Sequence, residues 1–207
     1  MGLIPIKSLF ERYRFENTEF LVDRGFNTAL DKELMSHNEN TYIVPMLSNR
    51  KDYNYVLADL KIDKRRYFIY NKNNYASMVY YQEFSKENIR YFAFQDTTRA
   101  SAERQDYIKA MNVGKPGYSE ESLLENELYF GLFLLETNNL ELSPEDVFCY
   151  YKERWTLETY YNYIRNDVDF NALYQQDYFL YAGVKFYCYS NQHDIPRYKS
   201  CSRQGKT

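Results

Sequence analysis

Four side chains suited to handling a phosphate ester lie close together between Ser143 and Asp167: Tyr151, Arg154, Glu158 and Arg165. At about 100° per residue of helix they fall within roughly 60° of one another. They therefore share one narrow stripe. One chemistry for such a stripe is a solvated helix face with i,i+4 ion pairing. The other is a catalytic carboxylate flanked by phosphate-binding cations, with a phenol as an additional donor. Spacing alone leaves both open. A second carboxylate of interest is Asp23, in Asp23-Arg24-Gly25-Phe26 at the end of the apolar run Glu19-Phe20-Leu21-Val22. The C-terminal end of a central strand is where α/β sheets place functional groups. Asp-x-Gly is equally a turn signal.

The elements that must position these groups are legible in part. Ser143 can cap a helix, Pro144 suits its first position, and Glu145 and Asp146 sit where the dipole favours negative charge. No Gly or Pro follows until after Asp167, so one long helix is predicted. Glu19 to Asp23 reads as a buried strand. Asn27 can cap a helix through Ala29 and Met35, ending near His37-Asn38. Tyr42 to Leu47 is a second strand, with Pro45 arguing for an edge position or an early end. From Ser48 to about Asp96, short aromatic runs separated by polar turns predict an antiparallel meander. Thr98 to Met111 has helical character, and Val113 to Gly117 is a turn in the wrong order for a phosphate-cradling loop. Leu128 to Asn138 is the most apolar stretch and predicts a strand. Asp169 to Phe186 predicts a final helix, and Cys188 to Thr207, aperiodic and basic, an irregular, disordered tail.

Composition narrows the class. A chain of 207 residues builds one domain, or one with an inserted lobe. Tyr 24 and Phe 14 make rings as important to the core as aliphatic groups. The net charge of −3 gives no overall basic balance, although local fields decide binding. Cys149, Cys188 and Cys201 form no Cys-x-x-Cys pair, and with His37 and His193 they show no metal-ligand spacing. So few cysteines fit a reducing cytoplasm. Neither a signal peptide nor a membrane-spanning run is evident.

Tyr151-x2-Arg154-x3-Glu158-x6-Arg165 resembles the Tyr-Arg-Glu-Lys signature of bacterial insertion-sequence DDE transposases, with Arg165 where that family usually has Lys. Asp23-Arg24-Gly25-Phe26 resembles the family's second catalytic Asp motif. Gly131, Thr137-Asn138 and Ser143-Pro144-Glu145-Asp146 look like the approach to the signature, and Gln176-Asp177-Tyr178 with Gly183 and Phe186 like the helix after it. The resemblance covers roughly Glu19 to Phe186. It implies a mixed α/β fold with a ribonuclease-H-like core and an inserted, mostly β lobe. Residues 1–47 would be partial core, 48–127 the lobe, 128–187 the rest of the core with the catalytic helix, and 188–207 the irregular tail.

The implied activity is metal-dependent cleavage and strand transfer of transposon-end DNA into target DNA, in a homodimeric synaptic complex. Two Mg²⁺ or Mn²⁺ ions would be held by carboxylates, with Asp23 the second and Glu158 the third of the family's three. Arg154 and Arg165 would grip backbone phosphates, and Tyr151 would donate to one. The 22 residues before Asp23 contain no Asp, so the first catalytic carboxylate is missing. The expectation is an N-terminally incomplete, truncated and inactive fragment. The alternatives are a catalytically silent DNA-binding or regulatory fragment, and an unrelated acidic α+β interaction domain.

Overall fold

The computed structural model describes residues 15–22, 24–48, 51–72 and 74–154. Within them the fold is mixed α/β, with six strands in one sheet and five helices. The strands are β1 (Glu19–Leu21), β2 (Thr41–Pro45), β3 (Tyr67–Lys72), β4 (Tyr75–Lys86), β5 (Ile89–Asp96) and β6 (Leu132–Thr137). Their order across the sheet is β1-β2-β6-β5-β4-β3. The helices are α1 (Ala29–Met35), α2 (Lys51–Ala58), α3 (Thr97–Asn112), α4 (Glu120–Asn126) and α5, described over residues 144–154. The chain divides into two compact units. One takes residues up to Leu47, Lys86–Arg90 and those from Glu136; the other takes Ser48–Ser85 and Tyr91–Leu135.

In the first unit β1 and β2 pair in parallel, Glu19 opposite Thr41 and Leu21 opposite Ile43. Parallel strands are covered on both faces, which explains why both read as short apolar runs rather than alternating ones. Phe20, Val22, Met35, Tyr42 and Val44 form the core there, with Phe15, Leu34 and Ile89 packed against it. Helix α1 joins the two strands and opens on a capping box: the Thr28 hydroxyl accepts from the Asp31 N–H, and the Asp31 carboxylate accepts from the Thr28 N–H. The cap is thus Thr28 rather than Asn27. The Asn27 amide instead donates to the Pro45 carbonyl at 2.7 Å, a partner no local signal could name. Pro45 does end its strand, but β2 lies between β1 and β6 and is not an edge. At the last strand residue the missing N–H costs no ladder bond.

The second unit holds the aromatic strands. Strands β3 and β4 are antiparallel, with Tyr67 opposite Tyr80 and Lys72 opposite Tyr75. Glu87 and Asn88, both at positive φ (51° and 60°), close the β4–β5 hairpin in the manner of a type I′ turn. Helix α2 lies in the segment after Ser48, ahead of the aromatic strands. The residues it turns inward are Asp52, Tyr53, Val56 and Leu57, a helical spacing. The strand expected from Leu128 begins only at Leu132. Before it, Glu127–Tyr129 form a 3₁₀ turn, and Gly131 reverses the chain at φ +70°. Among the described residues no helix is long and apolar enough to cross a membrane. The predicted final helix and the tail lie outside the described residues.

Gly131 has no alternative. A Cβ there would meet the Asp96 carbonyl oxygen at 2.3 Å and the Ala100 backbone nitrogen at 2.8 Å, and the Gly131 carbonyl accepts the Asp96 N–H. Gly131→Ala should therefore destabilise the protein by about 2–4 kcal/mol through backbone strain and overpacking. An unchanged urea midpoint would show that the turn can relax.

Candidate functional site

Helix α5 begins as its sequence predicts. The Ser143 hydroxyl accepts from the Asp146 N–H at 3.1 Å, and the Asp146 carboxylate accepts from the Ser143 N–H at 3.3 Å and from the Ser143 hydroxyl at 2.6 Å. Val147 and Phe148 are fully buried and anchor the helix. Tyr151, one turn further along, is only half-buried, as is Arg154. The two touch: the Arg154 guanidinium carbon lies 5.3 Å from the centre of the Tyr151 ring. This is a cation–π contact between the first two members of the stripe. The stripe therefore starts on the shoulder of the packed face and not on its fully solvated side. Asp23, Glu158 and Arg165 lie outside the described residues. Of the predicted site, the structure brings together Tyr151 and Arg154.

The segment feeding α5 is built from side-chain hydrogen bonds. The Asn138 side-chain oxygen Oδ1 accepts from the Tyr42 N–H at 2.8 Å. The Asn139 side-chain oxygen accepts from the N–H groups of Glu141 and Leu142. Arg90 donates to the backbone carbonyls of Asn139 and Leu142 at 3.3 and 2.7 Å. These bonds satisfy a loop that would otherwise leave polar backbone groups unpaired.

Two buried carboxylates lie in the same unit, and sequence reasoning passed over both. Glu136, at the end of β6, is 4 % exposed. It is held by the Lys32 ammonium at 2.6 Å and the Tyr42 hydroxyl at 2.8 Å. A charge directly after the apolar run Leu132 to Leu135 was the available signal, because a buried carboxylate needs a partner elsewhere in the chain. Glu19 is also buried. Its Oε2 accepts from the Thr41 hydroxyl at 2.6 Å and the Asn139 amide at 2.8 Å, while Oε1 finds no hydrogen-bond partner among the described residues. Burial raises the Glu19 pKa, against the opposing effect of the Thr41 and Asn139 bonds. Glu19 opens β1 and Thr41 opens β2, the strand ends opposite to those where α/β sheets place catalysis. The cluster is a packing device.

The other unit has its own buried acid. Asp96 is fully buried and accepts from the Tyr75 hydroxyl, the Ser77 hydroxyl at 2.6 Å and the Arg99 N–H at 3.2 Å, which makes it the cap of α3. Burial first, and the bond to Asp96 second, push the Tyr75 phenol well above its usual pKa. Tyr75 is thus a fixed donor. Among the described residues no group of three or more His, Cys, Asp or Glu is arranged to hold a metal ion. No protein-family model, curated protein or solved structure matches the chain.

Two outcomes follow from the buried acids. Lys32→Met should cost roughly 3 kcal/mol, because it strands the Glu136 charge, and Tyr42→Phe about 1 kcal/mol; equal, small losses in urea unfolding would mean that Glu136 reaches water. Folding raises the Glu19 pKa above the usual value near 4.5, so its contribution is fully present below that value and is lost as pH rises through the folded one. Between about pH 4 and pH 8 the wild-type urea midpoint should fall relative to that of Glu19→Gln. Parallel pH profiles would contradict this.

Proposed function

We propose that this chain is part of a DDE-type insertion-sequence transposase and that it grips DNA through the phosphate-binding stripe of α5. The observation that carries the proposal is the order of two motifs, Asp23-Arg24-Gly25-Phe26 and then Tyr151-x2-Arg154-x3-Glu158-x6-Arg165. The architecture is compatible with it. Two parallel strands joined by a helix, with Asp23 directly after Val22 in sequence, suit one half of a ribonuclease-H-like core. The aromatic strands β3 to β5, with α2 to α4, would be the inserted lobe, and α5 the start of the catalytic helix. Its place of work is the reducing cytoplasm, where bacterial DNA is found.

In this scheme Arg154 does the work that the geometry best explains. A guanidinium lying against a phenol ring keeps a preferred orientation, and its planar fork matches a pair of phosphate oxygens. Tyr151 supplies the ring and a hydroxyl donor. Arg165 would extend the grip along the backbone. Mg²⁺ or Mn²⁺ in the family supplies Lewis-acid activation of water or a 3′-hydroxyl. Asp23 and Glu158 have the hard oxygens such ions require, and the resemblance implies a third carboxylate that it matches to no residue of this chain. No cleavage is assigned to this chain by itself.

Anisotropy with a fluorescent DNA duplex tests the proposal. Binding should weaken as salt rises, and Arg154→Ala and Arg165→Ala should each lower the slope of log K against log salt by about 1. Supercoiled plasmid incubated with the protein and Mg²⁺ or Mn²⁺ should stay intact. Nicking that disappears in Glu158→Gln would overturn the inactivity, and salt-independent or absent duplex binding would sink the DNA assignment.

A further inference from the structure

The β3–β4 hairpin has one buried face and one open face. Tyr70, Ser77 and Val79 are buried on the first. On the second, Tyr67 and Ile69 are 50 % and 54 % exposed, unusually open for large apolar side chains in a strand. They stand across from Tyr80 and Met78, both half-buried. The Tyr67 and Tyr80 rings meet edge to face at 6.3 Å, so this pair forms a small aromatic floor. The cover on this face falls further along β4, where Tyr55 of α2 packs on Phe84 and the Gln82 side chain bonds the backbone of Lys61 and Asp59. Strand β3 is the last in the sheet, so its outer edge has no neighbouring strand among the described residues.

The chain enters this open face through a run of cations. Lys61, Lys64, Arg65 and Arg66 are all exposed, with Asp63 the one acid among them. Asp63 is taken up by Arg65, whose Nε and Nη2 each donate to it at 3.0 Å. The bias left over is positive, in a protein whose overall charge is −3. Aromatic rings on an open sheet face beside cations match two requirements of one ligand class: bases to stack and phosphates to neutralise. A second copy of the chain fits poorly. Antiparallel pairing of two β3 edges would set Arg66 of one copy near Lys72 of the other, cation against cation.

We infer that the open β3–β4 face, with Tyr67, Tyr80 and Ile69 as its floor and Lys64 and Arg66 as its lip, is a binding platform for single-stranded nucleic acid. It uses neither Asp23 nor Glu158 nor any residue of the α5 stripe, so it can hold whether or not the transposase assignment does. The base lies on the Tyr67–Tyr80 floor, where every base can stack, and the backbone tracks the cations. Such a site is tolerant of sequence and sensitive to salt.

Anisotropy of labelled oligothymidylate, oligouridylate and a DNA duplex with the purified 207-residue chain tests this. The expected result is that one of the single strands binds more tightly than the duplex, and which one identifies DNA or RNA as the ligand. Tyr67→Thr should weaken that binding about tenfold. Lys64→Gln with Arg66→Gln should flatten its salt dependence. Thr keeps strand propensity, and circular dichroism checks that the variants fold. Photocross-linking of the wild type to 4-thiothymidine DNA, or to 4-thiouridine RNA if oligouridylate binds better, should map to the peptide spanning residues 61–72, a readout that needs no variant. Duplex preference, or cross-links confined to other peptides, would overturn the platform. So would self-association abolished by Tyr67→Thr in a protein that binds no oligonucleotide.

Discussion

A carboxylate cannot stay buried without partners, and each unit of this protein is arranged around that constraint. In the first, Glu136 ends β6 in a site closed to water, and its charge is met by Lys32 from α1 and the Tyr42 hydroxyl from β2. Three elements must be in place before that charge is compensated, and β6 lies far along the chain from the other two. The second unit meets the same constraint with neutral donors. Asp96 collects two hydroxyls and the first turn of α3, so that one side chain joins β4, β5 and the helix that follows. Buried polar groups of this kind contribute little net stability when satisfied but penalise every arrangement that leaves them unpaired. They select the native arrangement more than they stabilise it.

From Glu136 the chain runs directly into the candidate site. Asn138 and Asn139 spend their amides on the strand starts and on the loop backbone, Arg90 ties down the same loop, and the capping box at Ser143 and Asp146 sets the direction of α5. A long loop made of side-chain hydrogen bonds is expensive in conformational entropy. Its product is a helix with a fixed origin, anchored by Val147 and Phe148, on which Tyr151 and Arg154 arrive already in contact. A preset guanidinium loses less freedom when it meets a phosphate than a mobile one. This is the physical link between the packing of the first unit and the DNA grip proposed for α5.

The second unit solves a different problem. Its strands carry rings on both faces of the hairpin, yet only one face is packed away. Edge strands with open apolar faces invite association unless charge guards them. The cations ahead of β3 provide that guard against copies of the chain while leaving the face accessible to a polyanion. One feature thus answers both requirements.

Local chemistry read from the sequence proved a good guide where it acts over a few residues. The start of α5 at Ser143, the span of α3, the apolar run of β1 and the aromatic strands before Asp96 all follow from caps, periodicity and turn residues, which are short-range effects. Local signals failed where a distant partner outbid them: Asn27 gave up the cap to reach the Pro45 carbonyl. The spacing of the stripe and the order of its two motifs are properties of the sequence alone, and the proposed function rests on them. Which carboxylates would be buried, that Arg154 would lie on Tyr151, and that Tyr67 and Ile69 would be left open were decided only by tertiary packing. Burial depends on what the rest of the chain places alongside a residue, and no window of neighbours along the sequence contains that.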